Sequence, residues 1–206
     1  MSDSSRPRLI LASASPRRTE LLRRIGVEHT VLPAHIDEAV DVPVEPGAHV
    51  CALAERKALA VAAGEPEALV LGADTIVYHG DEILGKPRDL EHAVELVGRL
   101  AGSSHEVYTG VALAGPGGNP ADSSFEVTRV KFRELSNDEI RRYVTTEEPF
   151  DKAGAYGIQG YGATLVEQVD GCYFNVMGLP LVRLVRMLAA RGISYPFGPL
   201  EWSRRK

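Results

Sequence analysis

The stretch Leu9-Ile10-Leu11-Ala12-Ser13-Ala14-Ser15-Pro16-Arg17-Arg18 decides the fold, because it joins a buried strand to a helix through a short polar turn. The apolar run from Leu9 to Ala12 predicts the strand. Ser15 followed by Pro16 is typical of an N-cap and the first residue of a helix, which then runs to Gly26. A strand that leads directly into a helix is typical of α/β proteins, so we expect a mixed, twisted sheet flanked by helices.

Two arginines, Arg17 and Arg18, occupy the first turn of this helix. The backbone N–H groups there have no helical partners and the helix dipole is positive, so cations are unfavourable unless an anion is bound. A phosphate group would be held by the free N–H groups, by the hydroxyls of Ser13 and Ser15 and by both guanidinium groups. Alternatively, both arginines point into solvent or pair with a nearby carboxylate, and this segment alone does not decide between the two interpretations.

The composition is that of an ordinary globular protein, with 206 residues, 44% hydrophobic content and a formal net charge of -5. The chain is long enough for one large domain or two small lobes. The negative charge argues against nucleic acid as a partner. With two cysteines, no apolar signal sequence and no membrane-length apolar run, we expect a cytoplasmic protein that does not bind membranes. No Cys or His has a metal-ligand spacing, so any metal would be bound by oxygen.

The rest of the chain alternates predicted strands and helices. The predicted strands cover residues 30–32, 68–71, 75–78, 82–84, 106–114 and 124–135, and the predicted helices cover residues 46–63, 89–102, 136–144 and 180–190. In the last long strand, Phe125 and Val127 are out of step with Val130 and Phe132, which predicts a bulge. Asp170-Gly171 predicts the turn of a hairpin. We expect a single domain over residues 1–206, with two lobes around a cleft and disordered ends at about 1–7 and 200–206.

The segment Gly72-Ala73-Asp74-Thr75 follows an apolar run, so the sequence predicts Asp74 at the C-terminal end of a buried strand. Ligands of α/β proteins bind at such strand ends, where a carboxylate can hold a divalent cation or orient a water molecule. Asp74 is therefore the first candidate for a catalytic carboxylate. The alternative is an aspartate that only caps the following turn.

Two lysines are candidate ligands for phosphate oxygens. Lys86 lies in Gly85-Lys86-Pro87, where the proline keeps it out of a helix. Lys57 lies on the long alanine-rich helix, where it can equally belong to a solvated face with ion pairs to Glu55 or Glu67. The sequence therefore favours Lys86 over Lys57.

A glycine-rich segment from Glu147 to Gly160 has the composition of a nucleoside pocket. Its small residues allow close approach to a flat ligand, Tyr156 could pack there, and the Gln159 amide could hydrogen-bond to a base edge. Asp151 could join a metal site. The alternative is a structural corner with Tyr156 in the core. Neither a Walker A motif nor a dinucleotide-binding GxGxxG motif is present, which argues against kinases and Rossmann-type proteins.

Together these segments resemble the Maf family of nucleoside triphosphate pyrophosphatases, in order and in spacing. The motifs that carry the resemblance are Ser-Ala-Ser-Pro-Arg-Arg at 13–18, Gly-Ala-Asp-Thr-Ile-Val at 72–77, Gly-Lys-Pro-Arg-Asp at 85–89, Asp-Lys-Ala-Gly-Ala-Tyr-Gly-Ile-Gln-Gly at 151–160 and Asn-Val-Met-Gly-Leu-Pro-Leu at 175–181. The resemblance implies a Maf-like (ITPase-like) fold with a deep cleft, a requirement for Mg²⁺ or Mn²⁺, and a homodimer. It also implies hydrolysis of a nucleoside triphosphate to the monophosphate and pyrophosphate.

The same resemblance implies roles for individual residues. Asp74 and Lys86 would be catalytic, and Asp74 with Glu38, from the acidic loop that also holds Asp41, would bind the metal. Asp151 remains a further metal candidate. The substrate-binding residues would be Ser13, Arg17, Arg18, Lys57, Thr75 and Gln159.

The segment 151–160 is similar to the dTTP/UTP branch of the family, as opposed to the branch acting on 7-methyl-GTP, with selectivity positions at Arg17, Thr75 and Gln159. The Gln159 amide both donates and accepts, as the O4 and N3–H of uracil or thymine require. We expect in-line attack of water on the α-phosphorus, with Asp74 as general base or as ligand of the metal that activates the water. Two other classes stay open: a nucleotide-binding regulator of cell division and a phosphatase of small phosphate esters.

Overall fold

The computed structural model describes residues 7–38, 45–116, 121–146 and 148–202. Asp41, Glu147 and most of the two ends for which we predicted disorder lie outside the described residues. For residues 200–202, the described part of the C-terminal end, the prediction of disorder is wrong. Glu201 and Trp202 form a strand that pairs with Ile193–Ser194, so residues 200–202 belong to the folded part.

The main sheet contains seven strands within the described residues. They are β1 (Leu9–Leu11), β2 (Thr30–Val31), β3 (Leu69–His79), β4 (Glu82–Leu84), β5 (Ser104–Ala114), β6 (Asp122–Phe132) and β7 (Val166–Asp170). Their order is β2-β1-β3-β5-β6-β7, with β4 paired to β3. β1 is parallel to β2 and β3, and the other pairs are antiparallel. The predicted mixed α/β sheet is confirmed.

Helices pack on both faces of this sheet. They are α1 (Pro16–Arg24), α2 (Pro46–Ala62), α3 (Leu90–Leu100), α4 (Asn137–Val144), α5 (Tyr173–Val176) and α6 (Leu181–Ala190), and β8 (Ile193–Ser194) and β9 (Glu201–Trp202) form a small second sheet. One core cluster joins α1, α6 and the β1 end of the main sheet, and another joins α3, α4 and the β4 end. These are the two expected lobes. No helix within the described ranges has the length and apolar character needed to cross a membrane.

The two strands predicted at 68–71 and 75–78 are one continuous strand, β3. Gly72 lies inside this strand and does not end it. A glycine is needed there because α2 packs so closely against the strand that a side chain would not fit. A Cβ atom at Gly72 would lie 2.1 Å from the Ala54 carbonyl oxygen, and one at Gly110 of β5 would lie 2.2 Å from that of Val50. Asp74 is therefore in the middle of a strand, and the prediction that it ends one is wrong.

The edge of β3 is open along part of its length, which explains how a mid-strand residue can reach a ligand. β1 pairs with β3 only as far as Leu71, and β4 pairs with it only from Val77 onward. Residues 72–76 therefore have no neighbouring strand on this side among the described residues. A cleft at this gap is accessible to side chains from both faces of the sheet, because alternate residues of a strand point to opposite faces.

Two further local predictions are corrected by the strand register. β5 and β6 pair without interruption from Ser104 to Leu113, so Phe125 and Val127 simply lie on the opposite sheet face from Val130. The shift in register lies instead between Lys131 and Phe132, opposite β7. After β7 the chain enters helix α5, so the predicted hairpin at Asp170-Gly171 is also wrong.

Candidate active site

A cleft of about 670 Å³ lies at the open edge of β3, between the two core clusters. Its walls come from the turn after β1, the first turn of α1, one side of α2, the segment after β4 and residues 151–159. Five cationic side chains and three carboxylates line it among the described residues: Arg17, Arg18, Lys57, Lys86 and Lys152, with Glu38, Asp74 and Asp151. The cleft therefore carries an excess of positive charge in a chain whose formal net charge is -5.

Arg18 is a buried cation of this cleft, with only 8% of its surface exposed. Its guanidinium donates hydrogen bonds to Gly178 O at 2.8 Å, Ser13 Oγ at 2.8 Å and Thr75 Oγ1 at 3.0 Å. All three partners are neutral. Burial lowers the pKa of Arg18 to about 10, although the charge of Asp74 opposes this shift. A buried cation that has no carboxylate as a hydrogen-bond partner is costly, and an anion that binds beside it would lower that cost.

The first turn of α1 has the predicted geometry, with one difference at its N-cap. Ser15 is the N-cap and Pro16 the first helical residue, but the Ser15 side chain makes no capping hydrogen bond. Ser13 Oγ instead accepts a hydrogen bond from Ser15 N at 3.3 Å. The hydroxyl of Ser15 therefore does not compete for the free N–H groups at the start of α1, which line the cleft.

Arg17 and Arg18 have different environments. Arg17 forms an ion pair with Asp151, with Nη1 and Oδ2 2.7 Å apart, so the alternative of a nearby carboxylate is confirmed for this arginine. Asp151 also pairs with Lys152. Burial alone would raise the pKa of Asp151, but the hydrogen bonds from Lys152 and Arg17 hold it below its ordinary value. This pair joins the α1 side of the cleft to the glycine-rich segment.

Lys57 connects two of the predicted metal ligands. Its Nζ lies 2.7 Å from Asp74 Oδ1 and 2.7 Å from Glu38 Oε1. Lys57 and Asp74 are both buried, so the interpretation of Lys57 as a residue of a solvated helix face is wrong. The hydrogen bond from Lys57 lowers the pKa of Glu38. Asp74 faces α2 because it lies on the same sheet face as Gly72, and it does not cap a turn.

Asp74 and Glu38 form a donor set that suits a hard divalent cation. Both carboxylates contact the same ammonium group, so they lie near each other and can share a cation. Within the described ranges no group of three or more His, Cys, Asp or Glu side chains could hold a metal ion. Mg²⁺ is commonly bound by one or two carboxylates and completed by substrate phosphates, so two carboxylates fit a metal that arrives with a nucleotide.

Lys86 is an exposed residue at the β4 side of the same cleft. In the described part of the chain no carboxylate lies within ion-pair distance of it, yet its charge helps to lower the pKa of Glu38. The neighbouring Gly85 O accepts a hydrogen bond from Gly154 N at 3.0 Å, which joins this loop to the glycine-rich segment. Lys86 is thus an exposed cation on an anchored stretch of backbone, which suits contact with a phosphate oxygen.

The glycine-rich segment forms the wall opposite α1. Gln159 lines the cleft, and its Oε1 is buried without a hydrogen-bond partner among the described residues. Tyr156 is buried at 5% exposure, and its hydroxyl lies 2.7 Å from His105 Nε2 in the core. The alternative of Tyr156 as a core residue is therefore confirmed, although Tyr156 also lines the cleft. Gln159 thus carries a buried acceptor that none of the described residues uses.

Thr75 and Asp74 are neighbours that point to opposite faces of the sheet, as alternate strand residues must. Thr75 Oγ1 accepts from Arg18 and contacts Thr109 Oγ1 at 3.0 Å. Both neighbours line the cleft because β3 has an open edge there. The structure thus brings every predicted site residue to one cleft.

Three residues that support the site were not predicted as functional: Thr109, Asn175 and Gly178. Asn175 and Gly178 do lie in the motif at 175–181, but nothing in their residue types indicates a connection to Arg18, which Gly178 O makes directly and Asn175 O makes through Gly178 N. Thr109 lies in the buried part of β5, where a threonine is an ordinary strand residue. Their connection depends on which strand neighbours which, and local sequence carries no signal for that.

The fold and the cleft define an α/β protein with a cationic cleft beside a pair of carboxylates, an arrangement that suits a phosphorylated ligand. A family model described as "Maf-like protein" matches residues 8–191. The dTTP/UTP pyrophosphatase of Moorella thermoacetica is 52% identical over 186 residues, which cover 90% of this chain and 96% of that protein. That of Symbiobacterium thermophilum is 50% identical over 188 residues, covering 91% and 95%. This chain therefore belongs to the Maf-like protein family.

The dTTP/UTP pyrophosphatase of Aquifex aeolicus is a third relative, 46% identical over 181 residues that cover 88% of this chain and 94% of that protein. Among solved structures, that of the Staphylococcus aureus Ham1 protein matches at 13% identity with a TM-score of 0.46, covering 77% of this chain and 79% of that one.

Proposed function

We propose that this protein hydrolyses nucleoside triphosphates, with dTTP and UTP as its preferred substrates, to the nucleoside monophosphate and pyrophosphate. The observation that carries the proposal is Arg18, a buried cation whose hydrogen-bond partners in the described part of the chain are all neutral, in the same cleft as the Lys57-bound carboxylates Asp74 and Glu38. The names of the relatives at 46–52% identity support the same reaction and substrates.

The triphosphate would lie across the α1 side of the cleft. The free N–H groups of α1, the Ser13 hydroxyl and the two arginines surround that wall, and Lys86 approaches from the other side. These groups would neutralise the charge that develops on the departing pyrophosphate, and positioned cations are the main source of catalysis in phosphoryl chemistry.

Asp74 would act on the water. A water molecule in line with the bond to be broken attacks the α-phosphorus and gives its proton to the Asp74 carboxylate. A new oxygen–phosphorus bond forms, and the α–β bridging oxygen leaves with its electron pair as part of pyrophosphate. In the structure Lys57 holds the Asp74 carboxylate through a 2.7 Å contact to Oδ1, which leaves Oδ2 for the water, and a bound cation would take over this role of Lys57.

We also propose that Asp74 and Glu38 hold Mg²⁺ or Mn²⁺, with Asp151 as a further candidate ligand. When bound, the cation supplies positive charge to the phosphate oxygens and lowers the pKa of bound water. Both carboxylates are tied to Lys57, so the ammonium of Lys57 must give up at least part of these contacts when they bind a cation.

Gln159 would read the base. Its unpartnered Oε1 can accept from the N3–H of thymine or uracil, and its amide nitrogen can donate to O4. Cytosine presents an amino group at the O4 position, so the same amide orientation fits it less well.

Product analysis by anion-exchange chromatography tests the proposal. The purified protein is incubated with dTTP, UTP, CTP, GTP and 7-methyl-GTP, with and without Mg²⁺ or Mn²⁺. We expect monophosphate and pyrophosphate from dTTP and UTP, only with metal. Diphosphate with orthophosphate would show that a different bond is cleaved. An absence of turnover would instead favour the nucleotide-binding regulator.

We propose further that the protein acts in the cytoplasm as a homodimer, which the family resemblance implies. Light scattering coupled to size-exclusion chromatography measures the mass directly, and a chain mass of 22.3 kDa separates a monomer clearly from a dimer.

A further inference from the structure

A closed ring of hydrogen bonds holds Arg18 from two sides. On one side Arg18 Nη2 contacts Thr75 Oγ1 at 3.0 Å, Thr75 Oγ1 contacts Thr109 Oγ1 at 3.0 Å, and Thr109 Oγ1 contacts Asn175 O at 2.9 Å. On the other side Gly178 N donates to the same Asn175 O at 2.9 Å, and Gly178 O accepts from Arg18 Nε at 2.8 Å. Thr109 and Asn175 have no exposed surface and do not line the cleft.

The chemistry of the groups determines the direction of every bond in this ring. The Asn175 carbonyl can only accept, so the single hydroxyl hydrogen of Thr109 is donated to it. Thr109 must then accept from Thr75, whose own hydrogen is used in that bond. Thr75 in turn accepts from Arg18, which can only donate. The order of donation is therefore Arg18 to Thr75, Thr75 to Thr109, and Thr109 to Asn175.

We propose that Thr109 is a positioning residue for substrate, which acts through Thr75 on the orientation of Arg18. This inference rests on the proposed function, and it adds a residue that touches neither nucleotide nor metal. With Thr109 as acceptor, the Thr75 hydroxyl keeps its lone pairs toward Arg18. Without that acceptor, the Thr75 hydrogen is free to turn toward Arg18, where it would repel the guanidinium.

The hydrogen bonds around Arg18 also determine whether the hydroxyls of Ser13 and Thr75 can donate to a ligand or accept from it. Ser13 Oγ accepts from both Arg18 Nη1 and Ser15 N, so its remaining interaction is donation of its own hydrogen. Thr75 has used its hydrogen, so toward a ligand it can only accept. Ser13 thus suits a phosphate oxygen, whereas Thr75 suits an N–H or O–H group of the nucleoside.

Thr109 can be tested with two conservative variants. In Thr109→Val the Asn175 carbonyl keeps the hydrogen bond from Gly178 N, and the valine has nearly the volume of threonine. Thr109→Ser keeps the hydroxyl but loses a buried methyl group. If Thr109 only supported the packing of the core, Thr109→Ser would lower activity and Tm at least as much as Thr109→Val, because the serine variant loses a buried methyl group.

Thr128→Val is the matched control. Thr128 is also a buried threonine, on the neighbouring strand β6, and its hydroxyl donates to Cys172 O and accepts from Asn175 Nδ2 and Cys172 N. It is buried on the same part of the sheet as Thr109 and contacts Asn175, but its hydroxyl takes no part in the ring of hydrogen bonds that includes Arg18. If the effect came only from weaker packing of this part of the core, activity would fall in both valine variants.

The experiment measures kcat/KM with dTTP and, separately, the Kd for inorganic tripolyphosphate by calorimetry, with Tm for each variant. We expect Thr109→Val to lower kcat/KM and weaken tripolyphosphate binding by about tenfold, as loss of one hydrogen bond predicts. Thr109→Ser should restore both to within about twofold while lowering Tm. Thr128→Val should lower Tm and leave both values within about twofold of those of the wild type.

A double-mutant cycle with Thr75→Val tests the route of the effect. In the Thr75→Val background, Thr109→Val should cause no more than about a twofold further loss, because the link to Arg18 is already absent. A full tenfold loss in that background, or an equal loss in Thr128→Val, would overturn the proposal. If the wild type cleaves no dTTP, the proposed function fails, while tripolyphosphate affinity still decides the role of Thr109.

Discussion

Lys57 Nζ lies 2.7 Å from Asp74 Oδ1, and this contact joins helix α2 to the middle of strand β3 inside the cleft. Both side chains are buried, so the pair excludes water and each charge depends on the other. The same ammonium also lies 2.7 Å from Glu38 Oε1. One lysine therefore positions both carboxylates that we assign to the metal.

Asp74→Asn should abolish most of the activity. The amide cannot take a proton from water, and we expect kcat to fall by roughly 10²-fold or more, the scale of losing a general base. Asp170→Asn, at the exposed end of β7, is the control and should retain wild-type kcat. Steady-state kinetics with dTTP measures both, and near-full turnover in Asp74→Asn would exclude Asp74 as the base.

Lys57→Met should destabilise the metal-free protein and make its stability depend on metal. Removing one partner leaves the buried Asp74 charge unpaired, which costs roughly 3 kcal/mol. Addition of Mn²⁺ should then raise Tm by more in the variant than in the wild type, since the cation replaces the ammonium between the carboxylates. Lys131→Met breaks an exposed pair with Glu167 and should change stability by less than about 1 kcal/mol, with no response to Mn²⁺.

Gln159→Glu should change the base preference. A carboxylate can only accept, so it repels O4 of thymine and favours the amino group of cytosine. We expect the ratio of kcat/KM for dTTP to that for dCTP to fall by roughly tenfold, in keeping with one bidentate contact. Gln168→Glu introduces the same charge on exposed β7 and should leave the ratio unchanged. An unchanged ratio in Gln159→Glu would show that the base is read elsewhere.

His105 should make the folded protein sensitive to acid. Burial lowers the pKa of His105 to about 3 from an ordinary value of 6.5. Between these two values the unfolded chain binds the proton and the folded chain does not, so the free energy of unfolding decreases as pH falls below 6.5, by about 1.4 kcal/mol per pH unit. Urea unfolding of wild type and His105→Gln at neutral and mildly acid pH should show a smaller loss in the variant. Equal losses would contradict the assignment.

Gly72→Ala should destabilise the fold, because a Cβ atom there would lie 2.1 Å from a backbone oxygen of α2. Backbone must move to relieve that clash, and we expect a loss of roughly 3 kcal/mol or more. Gly98→Ala is the matched control, since its Cβ would meet only Ile140 Cδ1 at 3.9 Å. Gly98 lies within the last turn of α3, where an alanine should stabilise the protein by roughly 0.5 to 1 kcal/mol. Urea unfolding measures both.

Much of the element order could be predicted, because it depends on short-range patterns. Ser15-Pro16 located the start of α1, and Ser136 with Glu139 forms the capping box that their spacing indicates. The predictions failed where a local signal had a tertiary cause. Gly72 suggested a strand end, but its missing side chain serves the packing of α2 against the sheet.

The sequence by itself determined the α/β class, the residue types of the site and the family, because strand and helix periods, turn residues and motifs are all local properties. Only the tertiary structure decided which charges are paired. Lys57 meets Asp74 and Glu38 because α2 lies on the sheet face where Asp74 points, and Arg18 is held by Thr75 and Gly178 because distant strands and loops meet beneath it. Such pairings depend on register and packing between segments far apart in the chain, and that is where the chemistry of the cleft is determined.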